Sequence, residues 1–310
     1  MYKKSYGVIE TLAPLHVGAT AGEESGNLNL IFRDQFTQTG IIPGSSIRGR
    51  LRSEMRLARQ VHLEQELNNR NIRITEDTQF TITNAQGRTE DVTKLEWLTN
   101  KAKELGISTP ADKDENLWYG HEALSRESNS TTESLVKFEY ASILWLPVFC
   151  PGQPIVWVSS QRLLKRYKRL AKISGSLPKP YTGSTSLVRN KLFFNFGFLT
   201  IDDPNQNLKD WFPDQQERPA VVVGDDEIAM IHDMALYRQT RIAMEKEQKV
   251  VQHFFGVEAL PEETILIFPI AHRSDEKGQT WKPFTGKADI YLGGLESIGF
   301  GHCEVELKEI

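Results

Sequence analysis

Aromatic, β-branched and small apolar residues dominate positions 5–17 and stop at Gly18, a pattern that predicts an opening strand. A small-residue, acidic loop (19–26) and an apolar stretch (28–32) follow. Pro43-Gly44-Ser45-Ser46 reads as a helix start, with a hydroxyl available as N-cap and no breaker until well past Gln60. On that helix Ile47, Leu51, Met55 and Ala58 share one face, and Arg48, Arg52, Arg56 and Arg59 form a stripe beside it.

Residues 61–133 are polar, with scattered apolar clusters such as Leu95-Glu96-Trp97-Leu98, and read as an insertion or small subdomain within a single domain spanning 1–310. Strands are expected at 135–146 and 154–159. An amphipathic helix follows, with Leu163, Leu164, Tyr167, Leu170 and Ala171 inward. Next come an aromatic strand at 192–201 and a helix over 225–245, whose first-turn acids suit the helix dipole. The chain closes with an apolar strand at 264–271, a glycine-rich loop at 293–301 and a strand at 303–307. Strands interleaved with few helices define an α+β fold class.

The 310 residues carry 37 Lys+Arg against 41 Asp+Glu, a net charge of −4 that argues against a nucleic-acid binder. The distribution changes that picture. From Ala141 to Ile201 there is no acid and there are nine Lys or Arg, which leaves 28 basic against 41 acidic residues elsewhere. A polyanion-binding surface on an otherwise acidic chain is compatible with this pattern. Two cysteines, Cys150 and Cys303, fit neither a disulfide framework nor a four-ligand zinc site. With no membrane-length apolar run and no secretory h-region, the expected location is the cytoplasm.

Gly44 and Gly49 have P-loop spacing, but Arg50 and Leu51 follow where a lysine and a magnesium-binding hydroxyl are needed, which excludes an ATPase reading. Two readings of the segment stay open. Amides, hydroxyls and arginines at a helix start can hold a phosphate, or the arginines are solvated or paired with acids. The glycine loop either admits a ligand's close approach or makes tight turns. Phe194, Phe196 and Phe198 alternate on the predicted strand, as a buried face or a base-stacking one. The seven histidines show no metal-ligand spacing, no serine sits in a GxSxG elbow, and Cys150 lies in an apolar run that suits a core.

Taken in order, several of these segments resemble the RAMP superfamily, the RNA-binding subunits of CRISPR effector complexes, and particularly the Cmr-type backbone subunit of type III complexes. Thr11-Leu-Ala-Pro-Leu-His16-Val-Gly18 is similar to the family's first-strand motif. Arg33-Asp34 followed by Thr39-Gly40-Ile-Ile-Pro-Gly-Ser-Ser-Ile-Arg48-Gly49 is similar to its most specific signature. Ala141-Ser-Ile-Leu-Trp-Leu-Pro147, Trp157-Val-Ser-Ser-Gln-Arg, Thr240-Arg241, Leu260-Pro-Glu-Glu-Thr264 and the loop Gly293-Gly294…Gly299-Phe-Gly301 complete the likeness. The resemblance implies a ferredoxin-like, RRM-related core with insertions and a thumb-like hairpin. It implies guide RNA, complementary target RNA and other effector subunits as partners, with no membrane. It further implies RNA contact through Ser45, Ser46, Arg48 and Arg52, and through Gly293, Gly294, Gly299 and Gly301.

One departure bears on chemistry. Family members that cut target RNA carry an Asp five residues before the conserved Arg; counting back from Arg33 reaches Leu28, flanked by Asn27 and Asn29. Neither leucine nor an amide acts as a general base or binds a metal as a carboxylate does. The expectation is an RNA-binding subunit without a catalytic residue, metal or cofactor. The alternative is a Mg²⁺-dependent RNA endonuclease using an unaligned acid such as Glu23 or Glu24.

Overall fold

A computed structural model describes residues 2–18, 28–83, 87–121, 131–244 and 251–310, and these form two compact units. The larger comprises Tyr2–Ile47, Phe138–Ala271 and Phe284–Ile310; the smaller comprises Arg48–Lys137 and His272–Pro283.

The larger unit is built on a mixed sheet. Its strands run in the order Asp203–Gln206, Thr182–Ser184, Ala220–Val223, Gln153–Ser160, Ala141–Cys150, Ile265–His272, Lys3–Thr11, His302–Glu309 and Lys287–Tyr291. Ala141–Cys150 lies centrally because every residue except Phe149 is buried, so it needs cover on both faces. Lys3–Thr11 pairs antiparallel with His302–Glu309, from Ser5 opposite Glu309 to Thr11 opposite Cys303, which joins the first and last strands.

The basic helix Gln161–Ala171 matches the sequence pattern closely. Leu163, Leu164, Tyr167 and Leu170 are buried, and the helix ends at Lys172 in a left-handed conformation (φ 53°). Its apolar stripe joins a core containing Trp145, Trp211 and Phe212. Trp145 stacks on Phe212 with centroids 4.5 Å apart, and its indole N–H donates to the Trp211 carbonyl at 2.8 Å. Burying side chains of this kind contributes roughly 1.5–3 kcal/mol each, and the hydrogen bond avoids leaving the indole unsatisfied.

Several expected elements are revised. The helix anticipated at 225–245 covers only Ile228–Ala235. Tyr237–Met244 is instead a strand paired antiparallel with Val251–Ala259, Tyr237 lying opposite Ala259. Cross-strand pairing overrides local helix propensity here. This long hairpin matches the expected hairpin feature, and Leu28–Asn29 adds a third, parallel strand beside Gly256 and Val257. The aromatic strand at 192–201 is a tight hairpin, Lys191–Phe194 with Gly197–Thr200. The turn therefore breaks the alternation: Phe194 is fully buried, whereas Phe198 is 67% exposed beneath the Lys191 ammonium. The opening strand ends at Thr11, and the strand expected at 135–146 splits into Val136–Phe138 and Ala141–Cys150.

The arginine-bearing helix spans Gly44–Asn69. Ser45 and Ser46 lie within its first turn and Pro43 precedes it, so neither hydroxyl is the N-cap. The first helical residue, Gly44, has no room for a side chain: a Cβ there would sit 2.6 Å from the Phe138 carbonyl oxygen.

The smaller unit contains the polar stretch 61–133. Leu63, Leu67, Leu98 and Ala102 form one of its apolar clusters, and Leu51, Met55, Trp118 and Tyr119 are buried as well. Polar devices supplement these. Thr93 caps the helix Lys94–Glu104 by accepting from the Glu96 N–H at 3.3 Å, and Asp114 accepts from Asn116 and Leu117. A buried ion pair joins Arg59 to Glu115 at 3.0 Å. Among the described residues no helix is long and apolar enough to cross a membrane.

Candidate nucleic-acid interface

The arginines of the helix Gly44–Asn69 have separate fates. Ile47, Leu51 and Met55 are buried as the periodicity requires, but Ala58 is exposed and Arg59 takes an inward position. Arg59 is 7% exposed and donates to Glu115 and to the Thr99 hydroxyl, so it belongs to the core of the smaller unit. Arg50 pairs with Glu54 at 2.7 Å. Arg48 donates to the Tyr119 carbonyl and lies 6.0 Å from the Tyr119 ring centroid, which fixes its stem while leaving its other N–H donors.

Arg52 and Arg56 are different. Among the described residues they make no ion pair and no hydrogen bond. Partial burial, then repulsion from Arg48 and Arg56, pulls the Arg52 guanidinium below its ordinary pKa. The guanidinium stays charged, and with no acid paired to Arg52 or Arg56 among the described residues this part of the stripe carries unmatched positive charge. Ser45 is exposed and Ser46 half-buried in the first turn of the same helix.

The glycine loop divides in two. A Cβ on Gly293 would collide with the His16 carbonyl, and one on Gly301 with the Leu292 carbonyl; both residues also have positive φ (78° and 86°). Their glycines are required by the chain's own packing. Gly299 (φ 93°) needs its left-handed conformation. Only Gly294 has neither a close neighbour nor a positive φ, so it alone of the four fits close approach by a ligand without an internal reason.

In the larger unit, Arg33 donates to Asp233 and, at 3.1 Å, to Glu258. Arg238 donates to the other Glu258 oxygen at 3.1 Å, so the buried carboxylate bridges two guanidiniums. His16 Nδ1 lies 2.6 Å from the Glu258 carbonyl. The fully buried His232 accepts the Gly40 N–H through Nε2 at 2.9 Å, which places its proton on Nδ1. Burial lowers its pKa. Nδ1 lies 3.8 Å from an Asp233 oxygen; His232 first, then Arg33, hold the Asp233 carboxyl down to about 2.

Leu28, at the expected acid position, pairs with Gly256, and Asn29 pairs with Val257, next in chain to Glu258. Asn27, Glu23 and Glu24 lie outside the described residues. The acids placed near Arg33, Asp233 and Glu258, are engaged by arginine. Sequence reasoning missed both, because their partners lie 200 and 225 positions away and no local spacing links them.

The basic helix is partly committed as well. Arg162 lies 5.0 Å from the Phe36 ring centroid and Arg166 lies 4.1 Å from that of Tyr140, both cation–π distances. Arg166 also donates to the Tyr140 carbonyl at 2.8 Å. Lys165 and Arg169 are exposed. Both cysteines are buried, and burial pushes the Cys303 thiol up to about 12, which suits core residues.

A large mixed sheet with few helices defines the α+β class of the larger unit. The family model of the RAMP superfamily matches residues 8–304, and the chain belongs to that superfamily. No curated protein matches it. Among solved structures it is similar to oligomeric Cmr4 from Pyrococcus furiosus, at 16% identity over 100% of both chains and a TM-score of 0.59. It is also similar to a chain of the type III-B Cmr-beta complex bound to cognate target RNA, at 16% identity over 98% and 96% with a TM-score of 0.57. A further Cmr4 crystal structure matches at 17% identity over 99% and 100%, with a TM-score of 0.55. At these identities the likeness shows the fold.

Proposed function

We propose that this chain is a guide-RNA-binding backbone subunit of a type III CRISPR effector complex in antiviral defence, acting in the cytoplasm with target RNA and other effector subunits as partners. The observation that carries the reading is the pair Arg52 and Arg56, beside Arg48 on the helix that bears the family's signature, neither of which makes an ion pair or hydrogen bond among the described residues. Family membership and the full-length likeness to Cmr4 support it, as does the RNA in the related Cmr-beta complex. Guanidiniums without acidic partners neutralise phosphates and displace counterions, and phosphate contacts position RNA without reading its sequence.

We propose further that the subunit does not cut target RNA and needs no metal or cofactor. Leu28 supplies no carboxylate, and a glutamate whose two oxygens each accept from an arginine has little capacity left to take a proton or hold a cation. Labelled complementary RNA and Mg²⁺, added to the assembled complex, test this. The expected result is uncut RNA opposite this subunit. A cut there that disappears in Glu24→Gln overturns the non-cleaving reading in favour of a metal-dependent endonuclease.

A further inference from the structure

A single exposed apolar side chain is ordinary on a protein surface. Phe36, in the larger unit, differs in being both 74% exposed and held by a built turn. One Asp34 oxygen accepts from the Phe36 N–H at 3.0 Å, the Thr37 N–H at 2.8 Å and the Thr37 hydroxyl at 3.0 Å. The Tyr140 hydroxyl donates to the other oxygen at 3.4 Å. Gln38, in a left-handed conformation (φ 54°), donates through its side chain to the Gln35 carbonyl at 2.8 Å. The ring is thus presented to solvent by a turn whose own polar groups are satisfied.

What adjoins the ring is cationic. The Arg162 guanidinium lies 5.0 Å from its centroid. Arg162, Lys165 and Arg169 follow one another at i, i+3 and i+7 along the helix Gln161–Ala171, so they share one face over about 10 Å of its length. All three are exposed, and among the described residues none of their side chains makes a hydrogen bond or an ion pair. The segment 141–201 that carries them holds no acid. Of the acids that other segments bring towards Arg162, Asp34 is taken up by the turn and Asp225 accepts the Arg162 main-chain N–H at 3.0 Å. An open aromatic ring at the end of a line of unmatched cations suits single-stranded nucleic acid, whose bases stack while its phosphates meet the cations. A cationic helix face beside the ring, in place of an apolar one, favours RNA over a hydrophobic protein surface.

We infer that Phe36 and the face formed by Arg162, Lys165 and Arg169 make an RNA contact additional to the arginines of the helix Gly44–Asn69: a base of single-stranded RNA stacks on the Phe36 ring, and the phosphates beside it run along the three cations. The inference rests on the RNA-binding reading above and adds a stacking contact to it. The ring contributes through its face and carries no charge; the helix contributes charge alone. The two parts therefore answer differently to salt.

The full chain is titrated with a labelled single-stranded RNA at several salt concentrations, and photocrosslinked to the same RNA carrying 5-iodouridine, with the crosslinked residue located by mass spectrometry. The crosslink is expected at Phe36. Phe36→Ala binds about ten-fold more weakly, the order of one lost base–aromatic stack, with the wild-type slope of log K against log salt. Phe36→Trp, which keeps a stacking face, binds at least as tightly as wild type. Lys165→Ala/Arg169→Ala binds more weakly and with a shallower slope. The replaced side chains are exposed, so every variant melts near the wild-type temperature. Wild-type binding by Phe36→Ala and Lys165→Ala/Arg169→Ala, while Arg52→Ala/Arg56→Ala weakens, overturns the inference and leaves the RNA reading standing. Wild-type binding by all of them overturns both. Equal losses in Phe36→Ala and Phe36→Trp exclude stacking and overturn the inference. Unchanged RNA affinity with lost assembly onto the other effector subunits, followed by size-exclusion chromatography, assigns this surface to a protein and overturns it too.

Discussion

Arg33 and Arg52 carry the same guanidinium, yet their surroundings give them opposite tasks. Arg33 meets Asp233 and Glu258, and Glu258 is matched on its other oxygen by Arg238. Arg52 meets Arg48 and Arg56, with Glu115 as the weakest influence and already paired to Arg59. The first cluster balances charge internally and holds together segments far apart in the chain. The second exports charge. An arginine's role is therefore set less by its motif than by which acids reach it, and a stripe read from the sequence has to be sorted one residue at a time. Arg59 shows this best, being on the stripe by spacing but structural by burial.

The largest effect that breaks the comparison is expected in the balanced cluster. Glu258→Ala removes a buried carboxylate that accepts from both Arg33 and Arg238; both arginines reach solvent and Arg33 keeps Asp233, so the expected loss is about 1–3 kcal/mol, that of charge-assisted hydrogen bonds. Urea unfolding monitored by tryptophan fluorescence measures it, and a loss near zero shows that the cluster does not hold the unit together.

A smaller effect belongs to the same neighbourhood and depends on pH. The His232 pKa is lowered in the folded protein from 6.5, mainly by burial, with Asp233, Arg33 and Glu258 as its charged neighbours. The unfolded chain therefore binds a proton more readily. The stabilisation is fully present above the unfolded value and is lost as pH falls through the folded one. Unfolding midpoints of wild type fall on acidification below 6.5, and His232→Gln shows less of that fall. Equal falls in both proteins assign the acid sensitivity to other groups.

Smaller still, Arg48→Ala loses one hydrogen bond to the Tyr119 carbonyl, worth on the order of 1 kcal/mol, in addition to any interaction with RNA. The smallest stability change is that of Arg52→Ala/Arg56→Ala, which stays within about 0.5 kcal/mol because neither side chain makes an ion pair or hydrogen bond among the described residues. A larger loss in this double variant places these arginines with Arg33 and removes the contrast.

How far the sequence anticipated this structure follows the range of the interactions involved. The basic helix Gln161–Ala171 was legible because its apolar stripe repeats at helical spacing and its partners are the adjoining strands. The helix expected through residue 245 was not. Acids at 225–227 gave a genuine start signal, but the strand Tyr237–Met244 owes its existence to Val251–Ala259, a partner that periodicity does not reveal. The aromatic alternation at Phe194–Phe198 failed for a related reason: a two-residue turn at Asn195 and Phe196 reverses the chain in the middle of the run. The candidate site divides along the same line. Ser45, Ser46, Arg48 and Arg52 stand out in the sequence because they lie within one helical segment, whereas Gly293 and Gly301 belong to one loop whose packing on His16 and Leu292 has no local sign. Glu115, Asp233 and Glu258 decide which arginines are free, and they come from distant segments.

The central claim is that the uncompensated arginines bind RNA phosphate, and the salt dependence of RNA affinity tests it most directly. Wild type and Arg52→Ala/Arg56→Ala are titrated with the same labelled RNA across a range of salt concentrations. The account predicts weaker binding by the double variant and a slope shallower by roughly two units, about one for each phosphate that is no longer neutralised. Unchanged affinity and slope contradict it.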